Sequence, residues 1–482
     1  MVFEPLRLLL VSEAYLPDYA LGSTLYAHAL ATGLAQHHRV EVLARQADPS
    51  RPELARSRRD WEGIPITLIN RRAAGFPGQF SLEHRDPALE QLFAEQLVSG
   101  RYDVVHFLHT LNLSAGLIPS ARRAGMAAVV MLHDYWYLCH RVVLLDYLDR
   151  RCPPLEYAAG ARCLFCAFHR RRQLGLAAGS ADHLALRGLF RVAAALARPT
   201  RPTLALLALI ARWRQRRSPP RPLASGAWAA AESLLYRPRW MREALLAAQR
   251  WIAFSPHVVE HYQRLGLPRE RFRILPPGTL PGLARRAGVP PPGPPWVLGY
   301  VGGLLPAKGI LLLLDAARNL ALEPRYAGSF RIELHGGPLD SEFAEVLGQR
   351  AAGLPVVLAG PFLPTERAQI LSRFHLLVMP SLSEETYSFA VREAQSLGVP
   401  ALVSDLPAQN AAIQVGSTGW TFHPADAQDL TRVLASLLDQ PRRLEQARLK
   451  LERQPPTPSF AEHLEAVQGV YAEALAELRQ GT

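Results

Sequence analysis

The chain has 482 residues, 49% hydrophobic and 20% charged, long enough for two or three domains with their own cores and too apolar to be disordered. Its net charge of +12 is concentrated, because residues 169–250 hold sixteen Arg, no Lys and three acids, while the remainder is close to neutral. The first residues lack a basic n-region and a small-residue cleavage site, and no run of about 18 apolar residues occurs, which points to a cytoplasmic protein without a spanning helix.

In chain order, RLLLVS reads as a buried strand, EAYLPDYALGST as a loop, LYAHALATGLAQ as a helix and RVEVLAR as a second strand, a doubly wound opening. Gly22 and Ser23 end that loop, where a glycine lets backbone approach a ligand and free N–H groups can face a phosphate or a sugar; a plain helix cap is the competing reading. YDVVHFLHT and AAVVMLHDYWYLCHR read as further strands ending in polar residues. His133 closes the second of these beside Asp134 and is placed to line a bound ligand; His106 and His109 are weaker candidates.

All four cysteines fall within one stretch: Cys139, Cys152, Cys163 and Cys166, the last two as CLFC. That spacing lets two thiolates reach one tetrahedral zinc ion and the other two complete a closed structural site; an iron–sulfur cluster or redox-active thiols are the alternatives. The Arg-rich stretch that follows mixes LALRGLFRVAAALA and LALLALIARWRQRR with Pro-rich breaks, as an insert meeting an anionic membrane surface or a polyanion would, or as a solvated helical insertion. WIAFSPHVVEHYQRLGLPRERFRILPPGTL then reads as strand, helix and strand, and PGLARRAGVPPPGPP as a hinge.

In the carboxyl-terminal half, WVLGYVGGLLPAKGILLLLDAARNL is a strand, a turn at Gly302 and Gly303, and a helix whose start is marked by Lys308, one of only two lysines against fifty-two Arg. FRIELHGG, PVVLAGPF and TGWTFHPADAQDLTRVLASLL continue alternating strands and helices. HLLVMPSLSEETYSFAVREAQSLGVPALVSD is a strand, a loop, a helix expected from Tyr387 to Leu397, and a strand. Glu385 lies before that helix and Glu393 about two turns on, so that paired carboxylates could accept hydrogen bonds from vicinal hydroxyls. Glu385 as a capping acid and Glu393 as a solvated side chain is the bland alternative.

PSLSEETYSFAVREAQSLGVPALVSD resembles the donor-site signature of the retaining family 4 glycosyltransferases, a Glu-x7-Glu pair before an Ala-rich helix and a Gly-x-Pro turn. Ser388 stands where that family has glycine, Gly303 where it has arginine in Gly-Arg-x-x-x-x-Lys-Gly, and Leu21 where its amino-terminal loop has a first glycine. HDYWYLC with spaced cysteines resembles a bacterial subset of the family. The resemblance implies an α/β fold of the GT-B type, two Rossmann-like doubly wound domains facing across a cleft, with a helical basic insert and a carboxyl-terminal crossover helix. Its boundaries here are 1–167 for the acceptor-side domain, 168–249 for the insert, 250–285 for the rest of that domain, 286–295 for the hinge, 296–458 for the nucleotide-sugar domain and 459–482 for the crossover helix.

It further implies transfer of a sugar, with retention, from a nucleotide-diphosphate sugar to a glycan, lipid-linked or small-molecule acceptor. His133, Lys308 and Glu385 would serve the reaction. Gly22, Ser23, Gly302, Gly303, Lys308, Glu385, Thr386, Tyr387, Ser388, Phe389 and Glu393 would hold the donor. The donor domain has no Asp-x-Asp, so diphosphate departure is expected without a catalytic metal, leaving a structural zinc at the cysteines as the one metal. A rival reading is a non-catalytic nucleotide sensor that holds nucleic acid through its arginines. An NAD-dependent oxidoreductase is disfavoured because no Gly-x-Gly-x-x-Gly follows either leading strand.

Overall fold

The computed structural model describes residues 4–19, 22–71, 82–146, 149–152, 163, 166, 227–281, 290, 293–337, 341–454 and 459–480. The chain divides into two compact units, Met1–Tyr19, Ser23–Ile274 and Ala466–Thr482 in the first, Ala20–Gly22 and Leu275–Glu465 in the second.

The first unit runs β1 (Arg7–Ser12), α1 (Gly22–Leu34), β2 (Arg39–Gln46), β3 (Arg56–Trp61), β4 (Ile64–Asn70), α2 (Pro87–Gly100), β5 (Val104–Phe107), α3 (Leu117–Arg123) and β6 (Ala127–Leu132). It continues with α4 (Ala227–Leu246), β7 (Arg250–Ala253), α5 (Pro256–Arg264) and β8 (Phe272–Ile274). These strands form an eight-stranded sheet ordered β3-β4-β2-β1-β5-β6-β7-β8, parallel except where β3 pairs antiparallel with β4. β5 and β6 are buried along their whole length, as strands covered by helices on both faces must be. The strand order reverses between β1 and β5, so the loops that follow β1, β5 and β6 open at the point where doubly wound sheets form a crevice.

The second unit runs β9 (Trp296–Val301), α6 (Ile310–Ala321), β10 (Phe330–His335), α7 (Ser341–Ala351), β11 (Val356–Gly360), α8 (Arg367–Ser372), β12 (Leu376–Met379) and α9 (Phe389–Ser396). β13 (Ala401–Ser404), α10 (Pro407–Asn410), β14 (Gly419–Phe422), α11 (Ala427–Asp439) and α12 (Arg442–Arg453) follow. The sheet is parallel throughout, ordered β11-β10-β9-β12-β13-β14. Its reversal lies between β9 and β12, the two strands whose following loops carry Lys308 and Glu385.

The last helix, α13 (Phe460–Gln480), spans the boundary between the two groups of residues. Within the first unit, Gln468 bonds His38, the Tyr471 hydroxyl lies 2.8 Å from His106 Nδ1, and Glu473 pairs with both Arg250 and Arg273. Among the described residues no helix is long and apolar enough to cross a membrane.

Three expectations need correction. The Arg-rich stretch is outside the described residues up to 226, but its last part is no insert: Tyr236, Met241 and Leu245 of α4 are buried, and Met241 and Leu245 belong to the core of the first unit. Arg237 there is buried, pairing with Glu83 and donating to the Trp136 carbonyl. The division between units falls after Ile274, not at 286–295, and much of that expected hinge is outside the described residues. The expected helix from Tyr387 begins at Phe389, because Ser388 adopts a left-handed conformation at its N-cap (φ 58°).

Candidate functional site

Beyond β9, the backbone turns at Gly302 (φ 151°), whose N–H donates to the His335 carbonyl at 3.0 Å. A short turn, Pro306–Lys308, follows, and Gly309 (φ 70°) caps the start of α6. Only glycine fits at 309, since a Cβ there would stand 1.8 Å from the Pro380 carbonyl oxygen. That close approach ties the Lys308 turn to the loop beyond β12, and two hydrogen bonds from Leu382 and Ser383 N–H to the Ala307 carbonyl reinforce it.

The result is a pairing of residues 77 positions apart: Lys308 Nζ lies 2.6 Å from Glu385 Oε1, which also accepts from Ser381 Oγ at 2.9 Å. The lysine side chain is 29% exposed and the carboxylate 16%, so the pair is sheltered yet reachable. Tyr300 lies within electrostatic reach of Glu385; its hydroxyl donates to the Gly303 carbonyl, and burial, with the Glu385 charge second, raises its pKa. An ammonium, the N-terminus of α6 and a carboxylate thus sit together at the carboxyl ends of β9 and β12, groups suited to a diphosphate and to hydroxyls.

The other expected donor residues divide. Thr386 is half-buried beside Glu385. Ser388 is buried, and its Oγ has no hydrogen-bond partner among the described residues. Its left-handed backbone explains why the family pattern has glycine there. Tyr387 is buried: its hydroxyl accepts from the Gly278 N–H at 3.2 Å, and its ring lies against Phe389 and the Arg392 guanidinium.

Glu393 is not a solvated side chain. It is 2% exposed, and Arg367 Nη2 approaches its Oε2 to 2.6 Å in a contact that is ionic without the alignment of a hydrogen bond. Burial raises the Glu393 pKa and Arg367 opposes that rise. Gly303 has no steric reason to be glycine, because the nearest atoms to an added Cβ are 3.9 Å away. The same holds for Gly22, where an added Cβ meets nothing within 4 Å, and Ser23 is exposed at the start of α1.

In the first unit, three loops at the strand reversal bring together Glu13 after β1, His109 after β5, and His133 and Asp134 after β6. His109 is the centre, with Nδ1 3.0 Å from Glu13 Oε2 and Nε2 2.7 Å from Asp134 Oδ2. Glu13 Oε1 accepts from Asn112, and the His109 and His133 rings are 5.0 Å apart. Burial alone would lower the His109 pKa, but Asp134 and Glu13 outweigh it and push it up to about 10. Burial dominates at His133 and lowers its pKa to about 4, so beside an imidazolium stands a neutral imidazole. His109, His133 and Asp134 also offer ligand atoms within 4.8 Å of one another, a spacing open to a divalent ion.

Ser381, Arg367, Glu13 and the central position of His109 were missed by sequence reasoning. Only the polar ends of buried strands signalled Glu13, His109 and Ser381, and Arg367, at the start of α8, carried no such signal. Cys139 is buried and Cys152 packs against the same core, while Cys163 and Cys166 are helical. Burial raises the Cys152 thiol pKa, and Cys139, Cys166 and Cys163 each raise it further.

Residues 295–440 match the model of the glycosyl transferases group 1 family, and residues 22–169 match that of the glycosyl transferase 4-like domain. A D-inositol 3-phosphate glycosyltransferase of Catenulispora acidiphila is 31% identical over 186 residues, 37% of this chain and 42% of that protein. One from Corynebacterium urealyticum is 32% identical over 149 residues, 30% of this chain and 34% of that protein. The chain thus spans less than half the length of these curated relatives. Among solved structures, the Anabaena protein HepE in complex with UDP-glucose superposes with a TM-score of 0.58 at 13% identity, covering 98% of this chain and 100% of the other. Sucrose-phosphate synthase from Thermosynechococcus elongatus gives 0.59 at 16%, covering 99% of each. WaaG, a glycosyltransferase involved in lipopolysaccharide biosynthesis, gives 0.56 at 16%, covering 95% and 98%. The fold is therefore GT-B.

Proposed function

We infer that this chain, with a glycosyl transferases group 1 domain at 295–440 and a glycosyl transferase 4-like domain at 22–169, transfers a sugar from a nucleotide-diphosphate sugar to an acceptor hydroxyl. The observation that carries this is the Lys308–Glu385 pair at the strand reversal of the second unit. In this reading the diphosphate takes Lys308 from the carboxylate, and Glu385, released, accepts hydrogen bonds from the sugar hydroxyls. Lys308 then offsets the charge that builds on the departing diphosphate, which is electrostatic stabilisation of the transition state.

Glu393, oriented by Arg367, takes the ribose. The bond between the anomeric carbon and the phosphate oxygen breaks while the acceptor oxygen bonds to that carbon on the same face. The acceptor proton passes to the leaving diphosphate, so configuration is retained and no protein nucleophile is used. The relatives that act on D-inositol 3-phosphate and the neighbours that hold UDP or UDP-glucose support a nucleotide-sugar donor. They give no support to a nucleic-acid-binding sensor. The Arg-rich segment before α4 is assigned to an anionic membrane surface, on its charge and its mixed Leu, Phe and Trp content.

The test is release of nucleoside diphosphate across a panel of sugar nucleotides, followed by mass spectrometry. Turnover of at least one donor, lost in Glu385→Ala, is the expected result; a protein that turns over none of the panel contradicts the reading.

A further inference from the structure

The cysteines have no place in sugar transfer, yet all four of the chain lie between 139 and 166. Cys139 ends the turn that follows His133, its N–H donating to the Tyr135 carbonyl at 2.7 Å and its carbonyl accepting from Val142 at 2.8 Å. The chain then doubles back. Leu145 bridges antiparallel to Arg151, and the Cys152 N–H donates to the Leu144 carbonyl at 2.9 Å, which returns Cys152 to the core that holds Cys139. Asp146, bonded to Arg150, and Arg141, bonded to Asp149 and the Leu145 carbonyl, fasten this hairpin.

Between the two cysteines, Val142, Leu144 and Asp149 are all left-handed (φ 70°, 52° and 55°). Such backbone is unfavourable at residues like Val142 and Leu144 and persists only where the surroundings enforce it. Cys163 and Cys166 are both helical and three positions apart in the sequence, the spacing of CLFC. Cys139 lies in the core of the first unit and Cys152 packs against that core, and Cys139, Cys166 and Cys163 are all within electrostatic reach of the Cys152 thiol.

We propose that Cys139, Cys152, Cys163 and Cys166 form a closed tetrathiolate site for one structural zinc ion. Four sulfurs satisfy tetrahedral zinc without an open position, which assigns the ion to structure rather than to chemistry. The ion would hold together the hairpin and the helical turn, and so fix the Tyr135–Cys139 segment that leads away from His133.

The test uses the full-length protein purified without added metal. Elemental analysis is expected to find about one zinc per chain, with no iron or acid-labile sulfide. The four cysteines are expected to react with a thiol reagent only after chelation, and cobalt(II) exchanged into the site is expected to show the absorption of a tetrahedral thiolate complex. Cys152→Ser is expected to lose the zinc; should that variant fail to fold, metal content and cobalt absorption of the unaltered protein decide the matter. Iron with sulfide, a disulfide among these residues, or four thiols that react without a chelator would overturn the proposal. None of these readouts depends on sugar transfer.

Discussion

Gly303 stands in space large enough for a side chain, next to the turn that presents Lys308. Gly303→Arg is therefore expected to fold normally and to tighten nucleoside diphosphate binding by about tenfold, the worth of one charge-assisted contact. Isothermal titration checks this, and unchanged affinity would show that position 303 does not face the diphosphate. Ser388 offers the converse case, a side chain in a backbone conformation suited to glycine. Ser388→Gly relieves about 1–2 kcal/mol of left-handed strain against about 0.4–1 kcal/mol of added freedom in the unfolded chain. A net gain of up to about 1.5 kcal/mol in denaturant melts is expected; a loss would mean that the hydroxyl holds the loop.

The histidine pair adds a pH dependence. His109 has its pKa raised from 6.5 to about 10, so it contributes stability that is complete below 6.5 and disappears as pH rises through 10. His133 has its pKa lowered to about 4 and acts in the opposite sense, costing stability as pH falls from 6.5 towards 4. The gap in melting temperature between the unaltered protein and His109→Gln should therefore be wide near pH 6 and close towards pH 10. A gap independent of pH would contradict the carboxylate clamp.

At the scale of elements, α4 shows where sequence reading stopped. Its Arg and Ala content resembles the basic stretch before it, and only packing reveals that Met241 and Leu245 are fully buried. Leu245→Ala is expected to destabilise the protein by about 2–5 kcal/mol in thermal or denaturant melts, as a core truncation does. A cost below about 0.5 kcal/mol, the range of surface positions, would return α4 to an insert.

β3 escaped notice for a related reason, since RSRRDW is a polar edge strand of alternating exposed and half-buried positions, with no apolar run to mark it. The loop before α9 was legible because its signals are local: Pro380 stops a strand, Gly398 and Pro400 stop a helix, and Glu385 and Glu393 fall between them within about twenty residues. The His109 cluster was not, because Glu13 and His109 are 96 positions apart and meet only through the order β1-β5-β6. Arg367 was hidden likewise: nothing in its own segment marks a partner on α9.

For the whole molecule, charge and chemistry are separated along the chain. Residues 170–226 contain twelve Arg and one acid, while the groups assigned to sugar transfer lie elsewhere. Vesicles rich in anionic lipid are expected to float the full-length protein, with attachment that weakens as salt rises. A protein lacking 170–226 should remain at the bottom of the gradient, and equal flotation of the two would remove that segment as the anchor.

The account rests on the Lys308–Glu385 pair being the seat of an activated sugar, and titration of a nucleoside diphosphate into single variants addresses it most directly. Lys308→Ala is predicted to weaken binding by at least about tenfold. Glu385→Ala is predicted to leave nucleoside diphosphate binding intact or tighter, since the carboxylate competes for the lysine, while the added affinity contributed by the sugar of the intact donor is lost. Unaltered diphosphate affinity in Lys308→Ala would contradict the account.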